Sequence, residues 1–85
     1  MYLYVYFKSF PEGGSLDELE DDLEKLLGEN GEVTGSGVGA SGGNIDIELF
    51  GKENILQDIE SYLLSYGFDA ETVLDVNGKR MLLGN

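Results

Sequence analysis

Gly37-Val-Gly39-Ala-Ser-Gly42-Gly-Asn44-Ile-Asp-Ile-Glu-Leu49 is the stretch that decides how this chain folds. Its opening residues spell G-x-G-x-x-G, the spacing with which dinucleotide-binding loops hold a pyrophosphate. That chemistry needs a helix directly after the loop, because the phosphates rest on free N–H groups at a helix N-terminus. Here Ile45, Ile47 and Leu49 alternate with Asp46 and Glu48 instead, and that alternation builds a half-buried strand. With a strand where the helix should be, the glycines belong to a β-hairpin, and no nucleotide cofactor is expected. A phosphate loop's closing Gly-Lys-Ser/Thr is missing as well.

Working outward, residues 32–39 read as the strand before this hairpin. Gly35, Gly37 and Gly39 recur at alternate positions, so they share one face and leave a strip of bare backbone. Glycine inside a strand marks a bulge or a close approach by another chain. The strip is either a flexible, twisted hairpin or a docking edge for a partner strand. Upstream, Ser15 and Glu18 form a capping box, each satisfying a free N–H of the first turn. Leu16, Leu19, Leu23, Leu26 and Leu27 then recur at helical spacing over 16–27. Gly28 ends that helix in the left-handed geometry glycine adopts cheaply. Residues 2–8 are β-formers and residues 9–14 a loop. Downstream, Ile55, Ile59, Leu63 and Tyr66 place a second helix over 53–66, closed by Gly67 with Phe68 as its apolar contact. Strands at 72–76 and 79–83 flank Asn77-Gly78, a dipeptide suited to the positive φ angles of a type I′ turn.

The order is strand, helix, strand, strand, helix, strand, with one more strand at the C-terminus. This predicts an α+β domain of ferredoxin-like βαββαβ type over residues 1–85, an antiparallel sheet with two helices on one face. The first and third strands are expected in the centre, and the glycine-rich second strand at an edge.

With 85 residues there is room for one core. Hydrophobic residues make up 41% of the chain, enough to pack it and to argue against disorder. There is no cysteine, hence no disulfide framework or thiolate nucleophile. Neither a signal peptide nor an apolar run of membrane-spanning length is visible, so a cytoplasmic protein is expected. Charge says more. Seventeen acids against five bases give a net charge of −12. Nucleic acids and anionic membranes would be repelled, since both are bound through Lys and Arg. A basic protein is the natural complement; the bland alternative is that acidity only keeps the chain in solution.

Two surfaces are candidates for such a partner. If Leu3, Val5 and Phe7 face the helices, Tyr2, Tyr4 and Tyr6 face outward, beside Asp46, Glu48 and Phe50 on the neighbouring strand. Tyrosine rings among carboxylates suit an Arg or Lys side chain, through cation–π contact and charge-assisted hydrogen bonds. The alternative is that the rings shield one another and the C-terminal hairpin. The second surface is the acidic face of the first helix: Asp17, Glu18, Glu20, Asp21, Asp22 and Glu24 against Lys25. Asp17, Glu20, Asp21 and Glu24 are its candidate contact residues. The pairs Asp17/Asp21 and Glu20/Glu24 repel at i,i+4, a cost without compensation inside the helix. A plain solvated face is the alternative. Catalysis has little support, because the chain has neither His nor Cys to act as base or nucleophile. No catalytic, cofactor-binding or metal-ligating residue is assigned, and Asp75-Val-Asn77-Gly78 is accounted for as a hairpin turn.

The pattern Gly31-Glu-Val-Thr-Gly-Ser-Gly, the glycine-rich turn, Asn44-Ile-Asp-Ile-Glu-Leu-Phe-Gly and the following amphipathic helix resembles small uncharacterised bacterial proteins of ferredoxin-like type, some of immunity-protein kind encoded beside toxins. The likeness spans residues 31–83 and fixes no functional position. It implies a protein that blocks a toxin by surface complementarity. The expectation is a non-enzymatic acidic binding protein, an inhibitor or immunity-type partner of a basic protein. The alternatives are a structural or regulatory homo-oligomer, such as a homodimer, and a small-ligand-sensing domain.

Overall fold

The computed structural model describes residues 1–51 and 55–84. It contains β1 (Tyr2–Phe7), α1 (Leu16–Leu27), a 3₁₀ turn (Gly28–Asn30), β2 (Gly31–Gly39), β3 (Gly42–Leu49), α2 (Ile55–Tyr66), β4 (Val73–Val76) and β5 (Lys79–Leu82). This is an α+β fold of two helices and a five-stranded antiparallel sheet in the order β2-β3-β1-β4-β5. Strands β1 and β3 are interior and β2 lies at an edge. The element boundaries follow the sequence periodicity closely. The expected start of the second helix, residues 53 and 54, lies outside the described residues.

Alternation along the strands divides the sheet into two faces. Leu3, Val5 and Phe7 of β1 are buried with Ile45, Ile47 and Leu49 of β3 and Leu74 of β4. Leu19, Leu23 and Leu27 from α1 and Ile59 and Leu63 from α2 join them in one apolar cluster, so both helices lie on this face. Fully burying a side chain of this size contributes about 1.5–3 kcal/mol. Phe68 fills the end of the cluster and rests against Phe7 and Phe10.

The helix ends follow their chemistry with two differences. Ser15 Oγ accepts the Glu18 N–H, as a cap should, but the other half of the capping box is not formed: the Ser15 N–H donates to the Tyr66 hydroxyl at 2.9 Å instead of the Glu18 carboxylate. At the far end of α2, the Phe68 N–H reaches back to the Leu63 carbonyl across Gly67, and Phe68 is buried. Gly28 does take a positive φ of 54°, but its ψ of −123° departs from the left-handed helical pair. The chain continues there into the 3₁₀ turn rather than into a simple cap. Asn77 and Gly78 both have positive φ, as a type I′ hairpin demands.

Where the glycine-rich hairpin turns into β3, two adjacent residues require glycine. A Cβ on Gly42, whose φ is 128°, would collide with the Phe7 carbonyl oxygen, and one on Gly43 with the Gly37 carbonyl oxygen and the Phe7 ring. The hairpin is closely packed at that point, where sequence left flexibility open. Strand β2 also carries a bulge between Val33 and Gly35. Gly31 and Val33 pair with Leu49 and Ile47 of the core face. Beyond the bulge Gly35 pairs with Asp46 and Gly37 with Asn44, so the glycines lie on the opposite face.

Candidate functional site

The sheet face away from the helices is built around β1. Tyr2, Tyr4 and Tyr6 project from it at alternate positions and stack into a ladder. Ring centroids are 6.3 Å apart for Tyr2 and Tyr4 and 6.4 Å for Tyr4 and Tyr6, with interplanar angles of 9° and 28°. Tyr2 is 50% exposed and Tyr6 38%, while Tyr4 between them is half-buried. The rings are therefore on the surface, not beneath the helices. Offset stacking of this kind holds them in place while leaving faces and edges available.

On one flank, β3 sets Glu48 opposite Tyr2, Asp46 opposite Tyr4 and Asn44 opposite Tyr6. Asp46 Oδ1 accepts a hydrogen bond from Asn44 Nδ2 at 2.9 Å. Next in the sheet, β2 places Glu32 directly across from Glu48, a like-charge pair that disfavours the sheet. Alongside it Gly35 and Gly37 leave the strand bare beside Asp46 and Asn44. Phe50 is 56% exposed and lies one residue past the end of β3, its N–H held by the Asn30 carbonyl.

The other flank has different chemistry. Asp75 of β4 also lies opposite Tyr4, and Val73 opposite Tyr6. The turn at Asn77-Gly78 pairs Asp75 with Arg80 and Val73 with Leu82. Arg80 Nε approaches Asp75 Oδ2 at 3.4 Å, and its guanidinium carbon lies 5.4 Å from the Tyr6 ring centroid. Asp75 Oδ1 accepts the Gly78 N–H at 2.9 Å, which ties the carboxylate to the turn. Of these residues Tyr4 and Tyr6 were candidates from the sequence, while Asp75 was read only as part of the turn and Arg80 was missed; the two-residue turn fixes the Asp75–Arg80 register and could have placed both on this face.

No protein-family model, curated protein or solved structure matches this chain.

The acids of α1 stand on the opposite side of the molecule and fall into three rows spaced by four residues. Glu18 and Asp22 face α2, where they accept hydrogen bonds from Tyr66 and Tyr62 hydroxyls at 3.3 and 2.8 Å. Glu20 and Glu24 face β2. Glu20 accepts from Ser36 Oγ at 2.8 Å, and Glu24 accepts the Val33 backbone N–H at 2.7 Å. Asp17 and Asp21 point outward and are exposed. The like-charge cost of the Glu20/Glu24 pair thus has compensation outside the helix, from hydroxyl and amide donors on β2, whereas the outward Asp17/Asp21 pair meets no such donor among the described residues. The ten candidate contact residues do not make one surface: Tyr2, Tyr4, Tyr6, Asp46 and Glu48 share the open face, Phe50 lies just past the end of β3, and Asp17, Glu20, Asp21 and Glu24 lie with the helices.

Burial of the Tyr62 hydroxyl, and then its bond to Asp22, push its ionisation well above the ordinary tyrosine value. Among the described residues no group of three or more acidic side chains is arranged to hold a metal ion. None of the described helices is long and apolar enough to cross a membrane. An open groove of about 350 Å³ between α2 and the C-terminal segment is lined by Gln57, Glu60, Ser61, Leu64, Leu83 and Gly84.

Proposed function

We propose that this chain is a non-enzymatic acidic binding protein of the cytoplasm, an inhibitor or immunity-type partner of a basic protein, on a ferredoxin-like core extended by β5. Support for the core comes from the run β2-β3-β1-β4 with helices after β1 and β3. The observation that carries the functional reading is the exposed tyrosine ladder of β1 beside Asp46, Glu48 and Glu32, a group of carboxylates with no cation among the described residues. Stacked rings supply contact area at small entropic cost, and the acids select for positive charge and speed encounter.

The test begins with capture from an extract of the native host, wild type beside Tyr4→Asp, and continues with the purified partner. Its Kd should weaken at least ~10-fold between low and high salt, because exposed charge pairs are screened. Binding that ignores both salt and Tyr4→Asp would overturn the reading.

A homodimer through the same face is the second reading. It is favoured by the β4–β5 flank, where Val73 and the 43% exposed Leu82 adjoin Tyr6 and where Arg80 neutralises Asp75. Light scattering separates the two. A monomer at tens of micromolar removes the dimer, and a dimer that Tyr4→Asp dissociates removes the leading reading's free surface.

A further inference from the structure

Tyr4 has an aspartate on each side, Asp75 from β4 and Asp46 from β3. The two carboxylates are held alike. Each has one oxygen tied within the protein, Asp75 Oδ1 by the Gly78 N–H and Asp46 Oδ1 by the Asn44 amide. Their second oxygens differ. Asp75 Oδ2 meets the Arg80 guanidinium, which also lies over the Tyr6 ring. Asp46 Oδ2 points over Gly35, where an added Cβ would stand 3.3 Å away, and it meets no cation among the described residues. Glu48, opposite Tyr2, adds a second carboxylate beside the ladder.

We infer that Asp46, with Tyr4, Tyr2 and Glu48 around it, receives the guanidinium of an arginine from the partner protein, repeating on the β3 flank the contact that Arg80 makes on the β4 flank. The inference rests on the basic-partner reading above and narrows it from positive charge to one side chain. Arginine fits because its planar fork can face a carboxylate while its plane stacks on a ring, whereas an ammonium is a point charge without a stacking face. The glycines of β2 keep the approach open, since a side chain at position 35 would rise against Asp46 Oδ2.

The experiment titrates the intact protein with a short peptide bearing arginine at alternate positions and with its lysine twin, following tyrosine ring resonances by NMR. The arginine peptide should bind ~3-fold or more tightly than the lysine peptide, the advantage of a stacked guanidinium at an exposed site. It should shift Tyr2 and Tyr4 before the helix tyrosines Tyr62 and Tyr66. Asp46→Asn, which keeps the side-chain shape, should weaken the arginine peptide ~5-fold through loss of a charge-assisted bond. Tyr4→Leu, which leaves Asp46 in place, should erase the arginine preference. Equal binding of both peptides would overturn the inference and leave the basic-partner reading standing. Shifts confined to α1 and α2, or binding unchanged in Asp46→Asn, would overturn the location. If neither peptide moves any resonance, both readings fall together.

Discussion

The carboxylates of α1 and those of the open sheet face look alike in composition and behave differently in the fold. On α1, Glu18, Glu20, Asp22 and Glu24 accept hydrogen bonds from Tyr66, Ser36, Tyr62 and the Val33 amide. They join the helix to α2 on one side and to the edge strand on the other. On the sheet, Glu48 faces Glu32 across the β2–β3 pair and stands beside a tyrosine, a placement that repels instead of fastening. A surplus of negative charge is therefore no single property of this molecule. Part of it serves as internal acceptors, and part is left facing outward at some expense to stability, which is the part a partner can use.

That contrast can be broken by substitution. The largest effect is expected at the helix interface. Tyr66→Phe removes a hydroxyl that accepts the Ser15 N–H at 2.9 Å and donates toward Glu18, and should cost about 1–2 kcal/mol in urea unfolding. Asp22→Ala strands the half-buried Tyr62 hydroxyl and should cost about 1 kcal/mol by the same measurement.

The Tyr62–Asp22 bond also sets a pH dependence whose sign follows from the raised ionisation of Tyr62. The folded state favours neutral tyrosine more than the unfolded chain does. Its contribution is complete below the ordinary tyrosine pKa of about 10 and is lost as pH climbs beyond it. Thermal melts should fall through that alkaline range, and Tyr62→Phe should flatten the fall.

At the edge strand, Glu24→Ala uncovers the Val33 N–H and should cost about 0.5 kcal/mol, since water can replace the lost acceptor. The smallest change has the opposite sign. Glu48→Gln relieves the pairing with Glu32 and should raise stability by about 0.3 kcal/mol, while weakening any basic partner. A loss of stability on Glu48→Gln would erase the distinction between the two sets of acids.

Much of the fold was legible because the local signals agree with one another. The leucines of α1, the Ser15 cap and the Asn77-Gly78 turn each point to one conformation, and the structure adopts it. The tyrosine ladder was legible for the same reason, since alternation along β1 leaves Tyr2, Tyr4 and Tyr6 one face to share. Helical spacing already pairs Asp17 with Asp21 and Glu20 with Glu24, but it could not say what each row meets, because the partners Ser36, Tyr62, Tyr66 and the Val33 amide are distant in the chain and carry no charge signal. Arg80 was readable in principle. A two-residue turn places it across from Asp75, and the same alternation that exposes Tyr6 brings its guanidinium over that ring. The face taken by Gly35 and Gly37 was not readable, because it depends on one unpaired residue. Counting by twos from Val33 would have put Gly35 against the core.

That unpaired residue, Thr34, has a bearing on how the hairpin tolerates changes in chain length. Its hydroxyl donates to the Asp46 carbonyl at 3.3 Å, but it has no pairing position of its own in the ladder. Deleting it would straighten β2 and could still leave Gly35 across from Asp46 and every later pair unshifted. An insertion or deletion elsewhere in β2 would slide the strand and exchange its two sides. Thr34 thus acts as slack in the edge strand, a position where a one-residue length difference is absorbed locally while the bare strip stays aligned with the carboxylate it borders.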